Sequence, residues 1–208
     1  MPGIFITIEG IDGAGKTTQA RLLAEWLRGL GRQVCATREP GGTSAGERIR
    51  DLLLSREWII PAEAELFLYL ADRSIHVSQV VKPALAAGDL VVCERYTDST
   101  LAYQGYGRGL DLEFLQRLNE IATGGLVPDL TLVLDLPVNM VRLDEGRLDR
   151  LESEGRGFLA RVAAGFRGLA ETEPGRVKLI DGCGEVQTVH RKMVAAVQRL
   201  LDEKGAGP

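Results

Sequence analysis

The sequence predicts an α/β fold, a parallel β-sheet flanked by helices on both faces. Two observations carry the prediction. Short apolar, β-branched runs alternate with segments whose apolar residues recur every three or four positions, and much of the glycine gathers at the ends of those runs rather than inside them. At 208 residues, 45% hydrophobic and 26% charged, the chain has ordinary globular composition, and at about 150 residues per domain it predicts a single domain over 1–208.

The elements follow in order. Ile4 to Ile8 reads as a buried strand ending in Glu9-Gly10. After a glycine-rich turn, Ala20, Leu23, Leu27 and Leu30 mark a helix that Gly31 ends. Gln33 to Thr37 forms a second strand, and Ser44 with Glu47 is a capping box opening a helix through Leu54. Pro61 begins a long helix that runs to Ala87 and closes at Gly88. Leu90 to Cys93 and Leu130 to Leu134 are buried strands, each followed by an acid, Glu94 and Asp135. Between them Asp111 to Ala122 is a helix stopped by Gly124-Gly125. Phe158, Val162, Phe166 and Leu169 mark another helix, Val177 to Ile180 a fifth strand, and Val186 to Leu200 the last helix. The charged stretch Asp144 to Gly157 lacks apolar periodicity and reads as a surface segment free to move.

Composition narrows the function. With 25 basic and 29 acidic residues and no block of like charge, the chain is not expected to coat a nucleic acid. Cys35, Cys93 and Cys183 stand far apart, and with His76 and His190 they form no zinc spacing, so buried reduced thiols are expected. Both histidines read as helix-surface residues. No apolar run approaches the roughly 18 residues of a membrane span and none resembles a signal peptide core, which predicts a cytoplasmic protein.

Gly10-Ile-Asp-Gly-Ala-Gly15-Lys16-Thr17 fits G-x-x-x-x-G-K-[ST], between a strand and a helix as that phosphate-binding loop requires. Its glycines let successive N–H groups curl around phosphate oxygens, Lys16 brings an ammonium to the transferred phosphate, and the Thr17 hydroxyl suits Mg2+. Glu94, ending an apolar strand, supplies a second metal-ordering oxygen. Arg95 emerges beside it at the carboxyl edge of the sheet, where open α/β sheets bind ligands. The loop alone leaves ATPase, switch and kinase open, but no Asn-Lys-x-Asp is present to read guanine. Pro40 and two glycines fix a turn beside Arg38 and Glu39, and Tyr69 and Arg73, four apart on a helix, set a ring beside a guanidinium that could read a base.

These residues, with Thr37-Arg-Glu-Pro-Gly-Gly-Thr43, Leu70-Ala-Asp-Arg73, Glu94-Arg-Tyr-Thr-Asp-Ser-Thr-Leu-Ala-Tyr-Gln-Gly105 and Gly146-Arg-Leu-Asp-Arg150, resemble the thymidylate kinase family in the family's order across nearly the whole chain. The resemblance implies a P-loop nucleoside monophosphate kinase fold with a five-stranded parallel sheet, a mobile lid near 143–156, and a cytoplasmic homodimer. It implies ATP with Mg2+ as donor and dTMP as acceptor. ATP would lie on Gly10, Ile11, Asp12, Gly13, Ala14, Gly15, Lys16, Thr17 and Thr18, with Thr17 and Glu94 at the metal. Arg38, Arg50 and Arg95 would hold the acceptor phosphate beside Glu39 and Pro40. Tyr69 would stack on thymine, Arg73 would bond its O4, and Thr100 and Gln104 would read the remaining edge. Tyr103 would lie against the sugar and Asp12 would meet its 3′-hydroxyl. Because Gly13 and Ala14 leave the loop without an arginine of its own, the catalytic cations would be the lid's Arg147 and Arg150, alongside Lys16 and Arg95. The chain departs from the family pattern in Glu94 for Asp, Tyr69 for Phe, and a run from Asp135 to Gly146 about three residues short, nearly one helical turn. A kinase for another monophosphate, a switch or assembly ATPase, and a nucleotide-binding protein with an impaired lid are the alternatives.

Overall fold

The computed structural model describes residues 3–141 and 150–205. Five strands form one sheet: β1 (Ile4–Glu9), β2 (Val34–Arg38), β3 (Leu90–Glu94), β4 (Leu130–Asp135) and β5 (Val177–Asp181), in the order β2-β3-β1-β4-β5. Every pairing is parallel. The central strands β1, β3 and β4 are covered on both faces, which is why their sequences are almost continuously apolar. On the edges, β2 and β5 are partly exposed.

The two faces are filled by alternate residues of each strand. Ile4, Ile6, Ile8, Leu90, Val92, Leu130, Leu132 and Leu134 meet Leu23 and Leu27 of α1 (Lys16–Gly29) and Met193 and Val197 of α8 (Val186–Glu203). On the opposite face Phe5, Val91 and Cys93 pack with Val77, Val81 and Tyr96, while Val133 joins a larger cluster with Leu66, Leu115, Phe158 and Phe166. That cluster is built from α3 (Ala62–His76), α6 (Leu112–Thr123) and α7 (Arg156–Thr172). Between α1 and α3, α2 (Ser44–Leu54) lies against α3.

Three local features differ from the sequence expectation. The α2 cap is Thr43 rather than Ser44: its side chain accepts the Gly46 N–H at 2.9 Å. The long helix continues from α3 through a widened π turn, Val77–Val81, into α4 (Lys82–Ala87). The widening precedes Pro83, which has no N–H to give the preceding turn. The third is a helix the periodicity did not reveal, α5 (Thr97–Thr100), continuing in π geometry from Leu101 to Gly107. Its glycines and β-branched residues are weak helix formers, but they fit the packing: a Cβ on Gly107 would come within 2.7 Å of the Phe158 ring, and one on Gly165 of α7 within 2.7 Å of Tyr106. Tertiary contact with α7 sustains this helix.

Register places the site. Glu94 is level with Ile8 of β1 and Arg38 of β2, and Glu9 with Val133 of β4, so the loops leaving β1, β2 and β3 emerge side by side at one edge. β1 is also where the strand order reverses, β2 and β3 lying to one side and β4 and β5 to the other. No helix among the described residues is long and apolar enough to cross a membrane, and Cys35, Cys93 and Cys183 are free thiols, Cys93 alone of them fully buried. Leu132 is wholly buried in the cluster that β1, β3 and β4 form with α1 and α8. Leu132→Ala is expected to lower unfolding free energy by about 2–5 kcal/mol in a denaturant titration.

Candidate active site

The loop after β1 has the backbone that the glycines foretold. Gly10, Gly13 and Gly15 have φ of 134°, 74° and 89°, and a Cβ on Gly10 would press to 2.7 Å from the Leu134 carbonyl. α1 begins at Lys16, so its first amides face the curl of the loop. The Lys16 ammonium, 5% exposed, donates to the Ile11 carbonyl at 2.8 Å and lies 3.9 Å from Asp12. Burial, then the nearby Arg95 charge, lowers its pKa to about 8. The Thr17 hydroxyl donates to Glu94 Oε2 at 2.9 Å, which brings the two expected metal ligands together.

Arg95 is the one non-glycine residue at positive φ, 66°, among the described residues. That conformation costs about 1–3 kcal/mol, and its surroundings fix it. The Arg95 N–H donates to Ile8, and the next residues close on a carboxylate from the end of β1: the Tyr96 N–H donates to Glu9 Oε1 at 2.7 Å, and the Ser99 hydroxyl to Oε2 at 2.6 Å. Glu9 is fully buried and caps α5 from outside that helix. Burial foremost, then Asp98, raises its carboxyl pKa to about 7. The sequence analysis gave Glu9 no role; the available signal was an acid ending an otherwise apolar strand.

So aimed, the Arg95 guanidinium donates to the Gly10 carbonyl and Ser99 Oγ, both at 3.2 Å, to Tyr103 at 3.1 Å, and through a short contact to Asp12. Tyr103 in turn donates to Asp12 Oδ2 at 2.7 Å. Burial alone would raise the Asp12 pKa, but Arg95 first, then Lys16 and the Tyr103 hydroxyl, bring it down to about 2. Asp12 and Arg95 thus join the loop to the cavity beside it.

That cavity holds about 510 Å³ of empty space, the open solvent at its mouth included. Asp12, Glu39, Pro40, Arg50, Tyr69, Arg73, Arg95, Thr100, Tyr103 and Gln104 line it, together with Leu54, Ser99 and Leu151. The structure therefore brings together all but one of the residues expected at the acceptor. Arg38 is the exception: it pairs with Glu47 at 2.9 Å and faces a neighbouring cleft with Thr17 and Glu94. Arg50 donates to the Pro40 carbonyl at 2.9 Å, fixing the turn after β2.

Arg73 is buried and held on four sides. Nε donates to Glu39 at 2.8 Å, Nη1 to Thr100 at 2.7 Å and Asn119 at 2.6 Å, and Nη2 to the Tyr96 carbonyl at 2.9 Å. A guanidinium has five N–H groups, so one proton on Nη2 remains for a ligand. Glu39 is itself bridged to His76 Nδ1 at 2.8 Å, whose Nε2 meets the Thr37 hydroxyl at 2.7 Å. His76 is thus a fully buried link between α3 and β2, not the surface residue expected. Asp72 accepts the Gly41 N–H at 3.0 Å, and burial raises its pKa to about 6. The sequence showed no bonding role for His76, Asp72 or Asn119, because their partners lie 39, 31 and 46 positions away.

Arg147 lies outside the described residues. Arg150 is held on the acceptor side, where Nε donates to the Leu53 carbonyl at 2.8 Å, its N–H donates to Leu54, and Nη2 stands 2.6 Å from Glu65 Oε2. In this arrangement its guanidinium braces the wall of the acceptor cavity rather than facing the phosphate loop.

A phosphate-binding loop with its lysine, an arginine fixed at the adjoining strand end and a cavity beside it lined by an aromatic ring and several polar side chains define a P-loop phosphotransferase with a second, acceptor site. Comparison with known proteins narrows this class. The family model for thymidylate kinase matches residues 8–193. A thymidylate kinase from Synechococcus sp. (strain JA-2-3B'a(2-13)) is 52% identical over 98% of this chain and 98% of its own, and one from Desulfovibrio desulfuricans is 48% identical over 98% and 99%. The crystal structure of thymidylate kinase from Ehrlichia chaffeensis superposes with a TM-score of 0.78 at 35% identity, over 95% of this chain and all of that one. The chain belongs to the thymidylate kinase family.

The lowered Lys16 pKa has a measurable consequence. A polyphosphate beside the ammonium favours its charged form, so above pH 8 binding must draw a proton onto Lys16. Calorimetric titration with ATP at pH 8.5, in buffers of different ionisation enthalpy, is expected to show net proton uptake and weaker affinity than at pH 7.

Proposed function

We propose that the protein transfers the γ-phosphoryl group of ATP to dTMP, giving ADP and dTDP. The observation that carries this reading is the Asp12–Arg95 contact, which sets the acceptor cavity directly against the phosphate loop. In that cavity the Tyr69 ring offers a stacking plane, Arg73 a single directed N–H, and Arg50 and Arg95 two guanidinium groups for a phosphate.

The phosphate monoester of dTMP has a second pKa near 6 and is ionised at pH 7, so its oxygen attacks without a general base. One P–O bond forms to that oxygen as the bond between the γ-phosphorus and ADP breaks. The protein's part is alignment and charge neutralisation. Lys16 and the loop amides hold the donor phosphates, and Arg95 holds the acceptor phosphate in line. Arg38 can join it, because its pair with Glu47 is exposed and such pairs contribute at most about 1 kcal/mol. Mg2+ would be held by the Thr17 hydroxyl and Glu94 carboxylate, hard oxygen donors that suit it, and when bound it offsets negative charge on the donor phosphates. The reading also carries a single kinase domain and a cytoplasmic homodimer. α3 and α6, which pack on each other, leave Phe67, Phe114 and Ile121 exposed, and a second copy would cover such apolar surface.

Purified protein mixed with Mg2+, ATP and dTMP is expected to form dTDP, resolved by ion-exchange chromatography. Arg95→Ala and Lys16→Ala should each lower kcat/KM by about a hundredfold or more while circular dichroism stays that of the parent. ATP hydrolysis indifferent to dTMP, or full turnover in either variant, would overturn the reading.

A further inference from the structure

Glu65 has no place in the chemistry above, yet its buried carboxylate stands behind the base pocket. It lies on α3 one turn before Tyr69 and two before Arg73, on the helix face that both occupy. Its exposure is zero. Oε1 accepts from Gln104 Nε2 at 2.8 Å and from Arg108 Nε at 3.3 Å; Oε2 accepts from Arg108 Nη2 at 3.0 Å and is paired with Arg150 at 2.6 Å.

We infer that Glu65 fixes the direction in which the Gln104 amide presents itself to the base, making the pocket select a pyrimidine with a proton on N3 over cytosine. The inference rests on the thymidylate kinase reading of the site.

The argument is one of hydrogen-bond polarity. Burial would push the Glu65 carboxyl pKa up, but hydrogen bonds from Arg108 and Gln104 and the Arg150 charge outweigh it and hold the pKa below the ordinary carboxylate value. The group is therefore ionised at neutral pH and can only accept. An amide facing it must turn its NH2 toward it. Gln104, buried and lining the cavity, then leaves its carbonyl Oε1 for the ligand. Of the groups with a fixed polarity on this wall, Arg73 thus offers its remaining proton as a donor and Gln104 its carbonyl as an acceptor, while the Thr100 hydroxyl can serve either way and imposes no direction. Thymine and uracil present the complement, an O4 acceptor next to an N3–H donor. Cytosine presents an amino donor and a bare N3, so donor would meet donor and lone pair would meet lone pair. Buried polar groups left unpaired in this way are what make such sites selective. With glutamine at position 65 the neighbouring amide would be free to donate to Gln104, and the polarity could reverse.

The test compares kcat/KM for dTMP, dUMP and dCMP in the parent, Glu65→Gln and Gln104→Met. In Glu65→Gln the dTMP-to-dCMP ratio is expected to fall at least about tenfold, mainly through KM, with dUMP falling alongside dTMP because the two share the N3 edge. Gln104→Met keeps the arginine pairs of Glu65 intact and removes both poles of the amide; it should also lower the ratio, and it decides the matter if Glu65→Gln does not fold. Equal losses on all three substrates, or an unchanged ratio, would overturn the inference. Dissociation constants for dTMP and dCMP from calorimetry give the same ratio without turnover. A parent that makes no dTDP therefore sinks the kinase reading alone.

Discussion

The contact between Asp12 and Arg95 is the constraint on which the remaining geometry depends. One group comes from the loop after β1 and the other from the residue after β3, adjacent parallel strands whose register puts both at the same level. The pair is 15% and 19% exposed, dry enough that removing either partner would leave a costly isolated charge. Tyr103 closes the triangle by donating to Asp12 and accepting from Arg95. A donor site and an acceptor site that could have been independent are in this way held a fixed distance apart, which direct transfer between two bound nucleotides demands.

Holding Arg95 there requires a backbone that arginine disfavours, and the compensation comes from a second buried acid. Glu9 takes the orphan amides of a short helix, and in doing so orients Ser99, Thr100, Tyr103 and Gln104 at once. The same device recurs across the cavity, where Glu39 aligns Arg73 and His76, and Glu65 aligns Gln104, Arg108 and Arg150. Each is an ionised or ionisable group in a place where an apolar side chain would pack more cheaply, since buried ion pairs seldom add net stability. What they contribute is direction. The apolar clusters on the two faces of the sheet carry the stability, and the carboxylates specify where the donors point.

The parts of the molecule legible in the sequence are those written in short-range pattern. Five apolar runs gave five strands, and Gly88 and Gly124 end helices in the left-handed conformation that terminal glycines favour. The P-loop was readable because its chemistry is contiguous. Tyr69, Arg73 and Arg95 could be picked out from spacing and position, but Arg50, Thr100, Tyr103 and Gln104 joined them as one wall only through the family resemblance, since these residues come from separate segments. The helix from Thr97 to Gly107 was hidden because Gly105 and Gly107, poor in a helix alone, serve its packing against Leu112 and Phe158. The roles of Glu9, Glu65, His76 and Asn119 were hidden for a common reason. Each acts on a partner at least 37 residues distant, a separation at which no periodicity survives. Arg38 is the opposite case: its motif was legible, but the direction of its exposed side chain is set by Glu47, a neighbour on the next helix.

Arg150 shows how the structure reweighs a motif. Placed by resemblance in a lid, it would have to reach the donor phosphates, leaving behind two backbone carbonyls and the buried Glu65. A buried acceptor stripped of its donor costs about 1–3 kcal/mol, and more when the acceptor is charged. Arg108 would remain as the arginine on Glu65, with its own guanidinium shared with Glu154. Nothing in a bound polyphosphate obviously offsets that loss, because Lys16 and the loop amides already meet its charge. In this arrangement Arg150 stands on the acceptor side, with Leu53 and Glu65 as its partners. Through these contacts it ties the chain at position 150 to α2 and α3.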